Sequence, residues 1–110
     1  MSVEAALDHF ARTRSQHLED LERLVRIPSV SAAGFDPAEV QRSAAAVAAL
    51  LKQRGLEHVE LLQVDGSHPY VYADWLHAPG KPTVLLYAHH DVQPPGRREV
   101  WKSEPFEPTR

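Results

Sequence analysis

Residues 89–91 read His-His-Asp, and they close an apolar run, Val84-Leu85-Leu86-Tyr87-Ala88. Imidazole and carboxylate groups bind metal ions and move protons near neutral pH. Along an extended segment alternate side chains face the same side, so His89 and Asp91 share one face and His90 takes the other. A metal-binding histidine commonly donates its second ring N–H to a carboxylate, which fixes its tautomer and raises the basicity of the ligand nitrogen. The spacing therefore suggests His89 as a metal ligand with Asp91 behind it. By itself H-x-D is a weak pattern, because a strand running into a solvated polar loop gives the same letters.

Composition narrows the chemistry. The 110 residues contain no cysteine, so thiolate zinc sites and disulfides are excluded and any metal site must draw on His, Asp and Glu. Twelve basic against fifteen acidic residues leave a net charge of −3, with no basic footprint for nucleic acid or anionic lipid. The N-terminal stretch has acidic residues and no apolar core of a secretory signal, and the longest apolar run, residues 44–51, is far too short to span a bilayer. A soluble globular domain is expected, and its expected location is cytoplasmic.

The elements that must position residues 89–91 are legible by their punctuation. Leu7, Phe10, Ala11, Leu18, Leu21, Leu24 and Val25 recur at helical spacing, which predicts a helix over 3–26 ended by Ile27-Pro28. Asp36 as N-cap, Pro37 at the first helical position and Gly55 as C-cap bound a second helix whose stripe is Val40, Ala44, Val47, Leu50 and Leu51. Residues 57–64 and 69–76 flank Asp65-Gly66 and predict an antiparallel hairpin. The continuous run at 83–88 predicts a central strand buried on both faces. The fold class is α/β: two N-terminal helices packed on a sheet with an antiparallel hairpin and a buried central strand, forming part of a catalytic domain. In such sheets ligands bind beyond the carboxyl ends of the strands, where His89 and Asp91 would stand. Residues 92–110 show no periodicity.

Other candidates carry less. His9 and His17 sit among charged neighbours on the first helix and suit a solvated face; His58 and Glu60 have ligand spacing but suit the hairpin surface. Trp75 suits hairpin packing. Trp101 and Phe106 are equally compatible with walling a cleft and with simple packing.

The ordered combination is more specific than any single pattern. An apolar strand, a small residue (Ala88), His89, Asp91, Val92 and Pro94, followed by Trp101 and the pair Pro105-Phe106, resembles the first signature of the zinc-dependent metallopeptidase family of aminoacylases, carboxypeptidase G, desuccinylases and carnosinase-like dipeptidases. Residues 24–31, LVRIPSVS, resemble that family's N-terminal helix-to-loop segment. The resemblance implies a site of two zinc ions bridged by a carboxylate and a water, in which His89 matches a histidine on one zinc and Asp91 the catalytic-site aspartate that orients it. It also implies a glutamate acting as general base. Gln93, where many amino-acid deacylases carry valine, leans toward the dipeptidase-like branch.

Two departures qualify the match: Ala88 stands where glycine is most common, and His90 where Tyr or another large residue is frequent. Family members run to several hundred residues, and their bridging aspartate, general base and remaining ligands have no match here. Residues 1–110 are thus expected to be the N-terminal portion of a zinc-peptidase catalytic domain, inactive alone, with the lid domain and the rest of the catalytic domain absent. For the intact protein the resemblance implies hydrolysis of dipeptides or N-acyl amino acids and a homodimer. The alternative is a non-catalytic α/β module with a structural or interaction role.

Overall fold

The computed structural model describes residues 2–110. Helix α1 spans Val3–Val25, helix α2 Pro37–Gln53, and strands β1 Glu57–Leu62 and β2 Tyr70–Asp74 form a two-stranded antiparallel sheet. A single 3-10 turn, Arg98–Val100, is the remaining element. Helix α2 packs on both strands and against α1, so the class is α/β, with two helices on a small sheet, as the sequence predicts.

Capping chemistry sets the helix limits. Ser2 Oγ accepts the Ala5 N–H at 3.1 Å to open α1, and Asp36 Oδ1 accepts the Ala38 N–H at 2.9 Å to open α2, with Pro37 at its first position. The end of α2 is a Schellman motif: Gly55 adopts φ +83°, its N–H reaches Lys52 O at 3.0 Å, and the Leu56 N–H reaches Leu51 O at 3.1 Å. The left-handed turn reverses the chain into β1 at once.

The hairpin pairs Glu60 with Tyr72, Leu61 with Val71 and Leu62 with Tyr70, and slips by a bulge between Glu57 and Glu60. His58 lies in that bulge at φ +49°, the sole non-glycine residue in the left-handed region among the described residues. There His58 Nδ1 meets Asp74 Oδ1 at 2.7 Å, while Tyr72 O–H donates to Asp74 Oδ2 at 2.9 Å. The hydrogen bond and charge of Asp74 push the His58 imidazole above its ordinary 6.5, and His58 in turn holds the Asp74 carboxyl below its ordinary 3.8. The histidine contribution is complete below 6.5 and fades as pH rises through the raised value; the aspartate contribution is complete above 3.8 and fades as pH falls through the lowered one. The tie is therefore fullest between those two values. An NMR titration should give a His58 midpoint above 6.5 that returns toward that value in Asp74→Asn.

The two helices meet along a shallow hollow lined by Asp20, Leu24, Ala46, Ala49 and Leu50. The Asp20 carboxylate is buried there, bonded to the Arg54 guanidinium and 3.4 Å from that of Arg23. Arg54→Ala should cost about 1–3 kcal/mol in urea unfolding, because it strips a buried carboxylate of its main partner. Adding Asp20→Asn should recover part of that loss.

One expected element is overturned. Residues 83–88 do not form a central strand: none of their backbone groups enters a backbone hydrogen bond among the described residues. Val84, Leu85, Leu86 and Tyr87 are 75%, 89%, 87% and 89% exposed. A doubly buried strand needs a neighbour on each edge and a layer on each face. The two-stranded hairpin supplies neither to this run, so apolar content alone leaves it irregular. The expected apolar stripe of α1 is likewise only half used, since Leu7, Phe10 and Leu21 stay exposed.

Candidate metal-binding site

Among the described residues, buried Ser29 and Ser43 contact His90, and buried Val30 bridges Val92. Ile27, Val30, Val40 and Ala44 form the apolar core, and Ser29 and Ser43 are buried among them. Val40, Ser43, Ala44 and Val47 follow helical spacing, so Ser43 projects from the packing face of α2. Beside α2, residues Ser29–Ser31 run parallel to residues 90–92: Val30 bridges Val92, and the Val92 N–H donates to Ser29 O at 3.0 Å. Residues 89–91 are thus fixed by a segment about 60 positions earlier in the chain.

His90 is the structural member of the triplet. Its carbonyl accepts from Ser29 Oγ at 3.0 Å and lies 3.2 Å from Ser43 Oγ. Its ring Nε2 faces the Pro69 carbonyl at 3.2 Å and must donate there, since a carbonyl only accepts. Ring Nδ1 lies 3.1 Å from Ser43 Oγ. Both ring nitrogens are engaged by protein, which ties α2 to the foot of β2 and removes His90 from competition for a metal ion.

His89 faces the other way. Its Nδ1 stands 2.9 Å from the Asp91 carbonyl oxygen and 3.2 Å from Asp91 Oδ1. Facing two oxygens, one of which can only accept, Nδ1 carries the ring proton, and in the neutral imidazole the lone pair then sits on Nε2. Among the described residues Nε2 has no hydrogen-bond partner, and the side chain is 72% exposed. Asp91 is held from behind: Ser31 Oγ–H donates to Oδ2 at 2.6 Å. That hydrogen bond, helped by the Asp91 backbone N–H and by His89, holds the carboxyl below its ordinary value against a partial burial that pushes it up. A neutral imidazole backed by an ionised carboxylate is a donor set that suits zinc. Within these residues it offers one ligand.

His89 and Asp91, singled out from the sequence, stand 3.2 Å apart, whereas the sequence reading missed the groups around them, Ser29, Ser31, Ser43 and His68, whose Nε2–H donates to Ser31 O at 3.1 Å. A lone serine in the alanine-rich buried stripe of α2 was the available signal for Ser43. Trp101, Pro105 and Phe106 fold back with Val25, Val92 and Pro95 around an apolar hollow of about 170 Å3, and Trp101 Nε1–H donates to Pro95 O at 2.8 Å. Trp101 and Phe106 thus line this hollow together with Val92, the residue after Asp91.

The remaining candidates stay on the surface. Glu57, His58 and Asp74 bring three donor atoms within 4.8 Å of one another, but His58 Nδ1 is already bonded to Asp74 Oδ1 and Glu57 Oε2 to His77 Nε2, each at 2.7 Å. His58 thus pairs across the hairpin with Asp74. His17 stacks on Phe10 with ring centres 5.6 Å apart and bonds Thr13 Oγ1 at 3.0 Å. No helix among the described residues is long and apolar enough to cross a membrane.

Two groups of known proteins are similar to this chain in sequence. The succinyl-diaminopimelate desuccinylase of Stenotrophomonas maltophilia is 44% identical over 64 residues, 56% of this chain and 16% of the desuccinylase. The Cys-Gly metallodipeptidase DUG1 of Candida albicans is 27% identical over 117 aligned positions, and that of Schizosaccharomyces pombe 30% over 114; each alignment takes in 96% of this chain and 24% of the dipeptidase. The chain therefore spans about a quarter or less of the length of these relatives. No protein-family model matches it, and no solved structure matches it. These relatives are members of the zinc-dependent metallopeptidase family that the sequence resembles, the family of desuccinylases and carnosinase-like dipeptidases.

Proposed function

We propose that this chain is the opening portion of the catalytic domain of a zinc-dependent hydrolase that cleaves the amide bond of dipeptides. The observation that carries the proposal is the posture of His89: Nδ1 committed to Asp91 at 2.9 and 3.2 Å, Nε2 free. His89 would hold one of two zinc ions, and Asp91 would fix the ring in the tautomer that exposes Nε2. When bound, zinc supplies Lewis acidity toward the scissile carbonyl and makes water a stronger acid. The chain's own part is to orient that nitrogen and to keep His90 out of the ligand set.

A catalytic zinc takes three protein ligands and keeps one position open. His89 is one ligand, so the remaining ligands, the bridging carboxylate and the general base belong to residues outside this stretch, and the 110 residues alone are inactive. Dipeptides are favoured over N-acyl amino acids by extent of likeness: the matches to Cys-Gly metallodipeptidases run over 96% of the chain, those to the desuccinylase over 56%. Gln93 points the same way. A homodimer and a cytoplasmic location complete the proposal.

The test is an assay of the intact protein and of residues 1–110 on a panel of dipeptides and N-acyl amino acids, before and after chelation and zinc return. Chelator-sensitive dipeptide turnover by the intact protein alone is expected. Preference for N-acyl amino acids would reassign the substrate, and absence of turnover on either class would favour a non-catalytic module.

A further inference from the structure

We infer that Ser31 is a positioning residue for the His89–Asp91 pair, anchoring one carboxylate oxygen so that the other stays turned toward the imidazole. The inference rests on the assignment of His89 as a metal ligand and names the group that keeps that ligand oriented.

An aspartate carboxylate turns about a broad, roughly two-fold torsion, so an unanchored one swings toward water. Asp91 is 41% exposed at its side chain, enough for such swinging. Ser31 opposes it with the shortest of the hydrogen bonds in this network, 2.6 Å from Oγ to Oδ2, which is the length expected when a hydroxyl donates to an ionised carboxylate. With Oδ2 held, Oδ1 is left 3.2 Å from His89 Nδ1.

The anchor is itself built in. Val30, immediately before Ser31, is 2% exposed and bridges Val92, immediately after Asp91. Ser29 contributes its carbonyl to Val92 N–H and its hydroxyl to His90 O. The Ser31 carbonyl is fixed by His68 Nε2–H at 3.1 Å. Ser29 and Ser31 thus bond to the 90–92 segment and Val30 pairs with it, and Ser31 alone bonds to a side chain of the proposed site. The order Ser–carboxylate–imidazole also excludes a nucleophilic serine, because the hydroxyl faces the carboxylate and not a ring nitrogen. Ser31 acts through Asp91.

The experiment compares wild type, Ser31→Ala, Ser31→Thr and His89→Ala in the intact protein. Zinc affinity is read by chelator competition on the folded fraction, and kcat and KM on a dipeptide. Loss of the direct partner of a metal ligand costs about 10–100-fold in affinity or turnover, and Ser31 stands one bond further out, so Ser31→Ala should lower kcat and zinc affinity by about 10-fold, the lower end of that range, with KM unchanged. Ser31→Thr, which keeps the hydroxyl, should stay within roughly threefold of wild type. A structural tie alone would lower Tm and leave zinc affinity and kcat of the folded protein intact, and that result overturns the inference while His89→Ala still abolishes binding. Unchanged zinc affinity in His89→Ala would instead remove the ligand assignment, and the inference with it. Should Ser31→Ala not fold, Ser31→Cys keeps the size with a weaker donor and should show the same loss in milder form.

Discussion

Replacing His89 with alanine in the intact protein is expected to lower dipeptide turnover by more than the roughly 100-fold upper cost of losing an outer partner, because a ligand itself is removed. No neighbour can take its place. His90 has both ring nitrogens committed, to the Pro69 carbonyl at 3.2 Å and to Ser43 Oγ at 3.1 Å, and swinging it outward would break both. Asp91 already spends Oδ2 on Ser31. Asp91→Asn should be milder, about 10–100-fold, since it keeps the shape but weakens the hold on Nδ1. His90→Ala should reverse the pattern: reduced stability from the lost tie between α2 and Pro69, with zinc affinity of the folded protein retained. Zinc content and steady-state rates on the three variants check this ordering. Undiminished turnover in His89→Ala would eliminate it as a ligand.

Those contrasts mark what part of the site was legible in the sequence. The direction of His89 and Asp91 followed from alternation along an extended segment, and the apposition at 3.2 Å has the geometry which that alternation allows. Alternation holds even where no ladder forms, because it depends only on extended backbone dihedrals. The supports were hidden for a different reason. Ser29, Ser31 and Ser43 lie about 60 and 47 positions away from their partners, and serine is so common in loops that nothing in its type announces a hydroxyl aimed at a distant carboxylate. Their roles exist only once Val30 has bridged Val92.

The fold divides along the same line. Helix α2 and the hairpin were readable because their signals are local: Asp36-Pro37 at one end, Gly55 at the other, Asp65-Gly66 in the turn. The expected hairpin strands 57–64 and 69–76 contain the observed Glu57–Leu62 and Tyr70–Asp74, with the fraying expected next to a turn. The run at 83–88 carries an equally strong apolar signal, yet a strand is defined by what lies beside it, and apolar content reports burial that some other surface must supply. The first half of α1 makes the same point, since its stripe is correctly periodic and still leaves Leu7 and Phe10 exposed.

That unsatisfied run has a measurable consequence. Val84, Leu85, Leu86 and Tyr87 present four consecutive large side chains, each at least three-quarters exposed, on backbone that forms no backbone hydrogen bond among the described residues. Contiguous exposed apolar surface joined to free N–H and C=O groups is a template for pairing with another extended segment. The 110-residue chain, purified alone, should therefore associate with itself in a concentration-dependent way in sedimentation velocity. Burying one leucine is worth about 1.5–3 kcal/mol and each 1.4 kcal/mol is tenfold in an equilibrium constant. Leu85→Lys combined with Leu86→Glu should thus weaken the association by at least roughly 100-fold. The two substitutions lie outside α1, α2 and the hairpin, so the far-ultraviolet circular dichroism should not change. A wild-type chain that stays monomeric at high concentration, or a doubly charged one that associates as strongly, would show that these four side chains do not drive the contact.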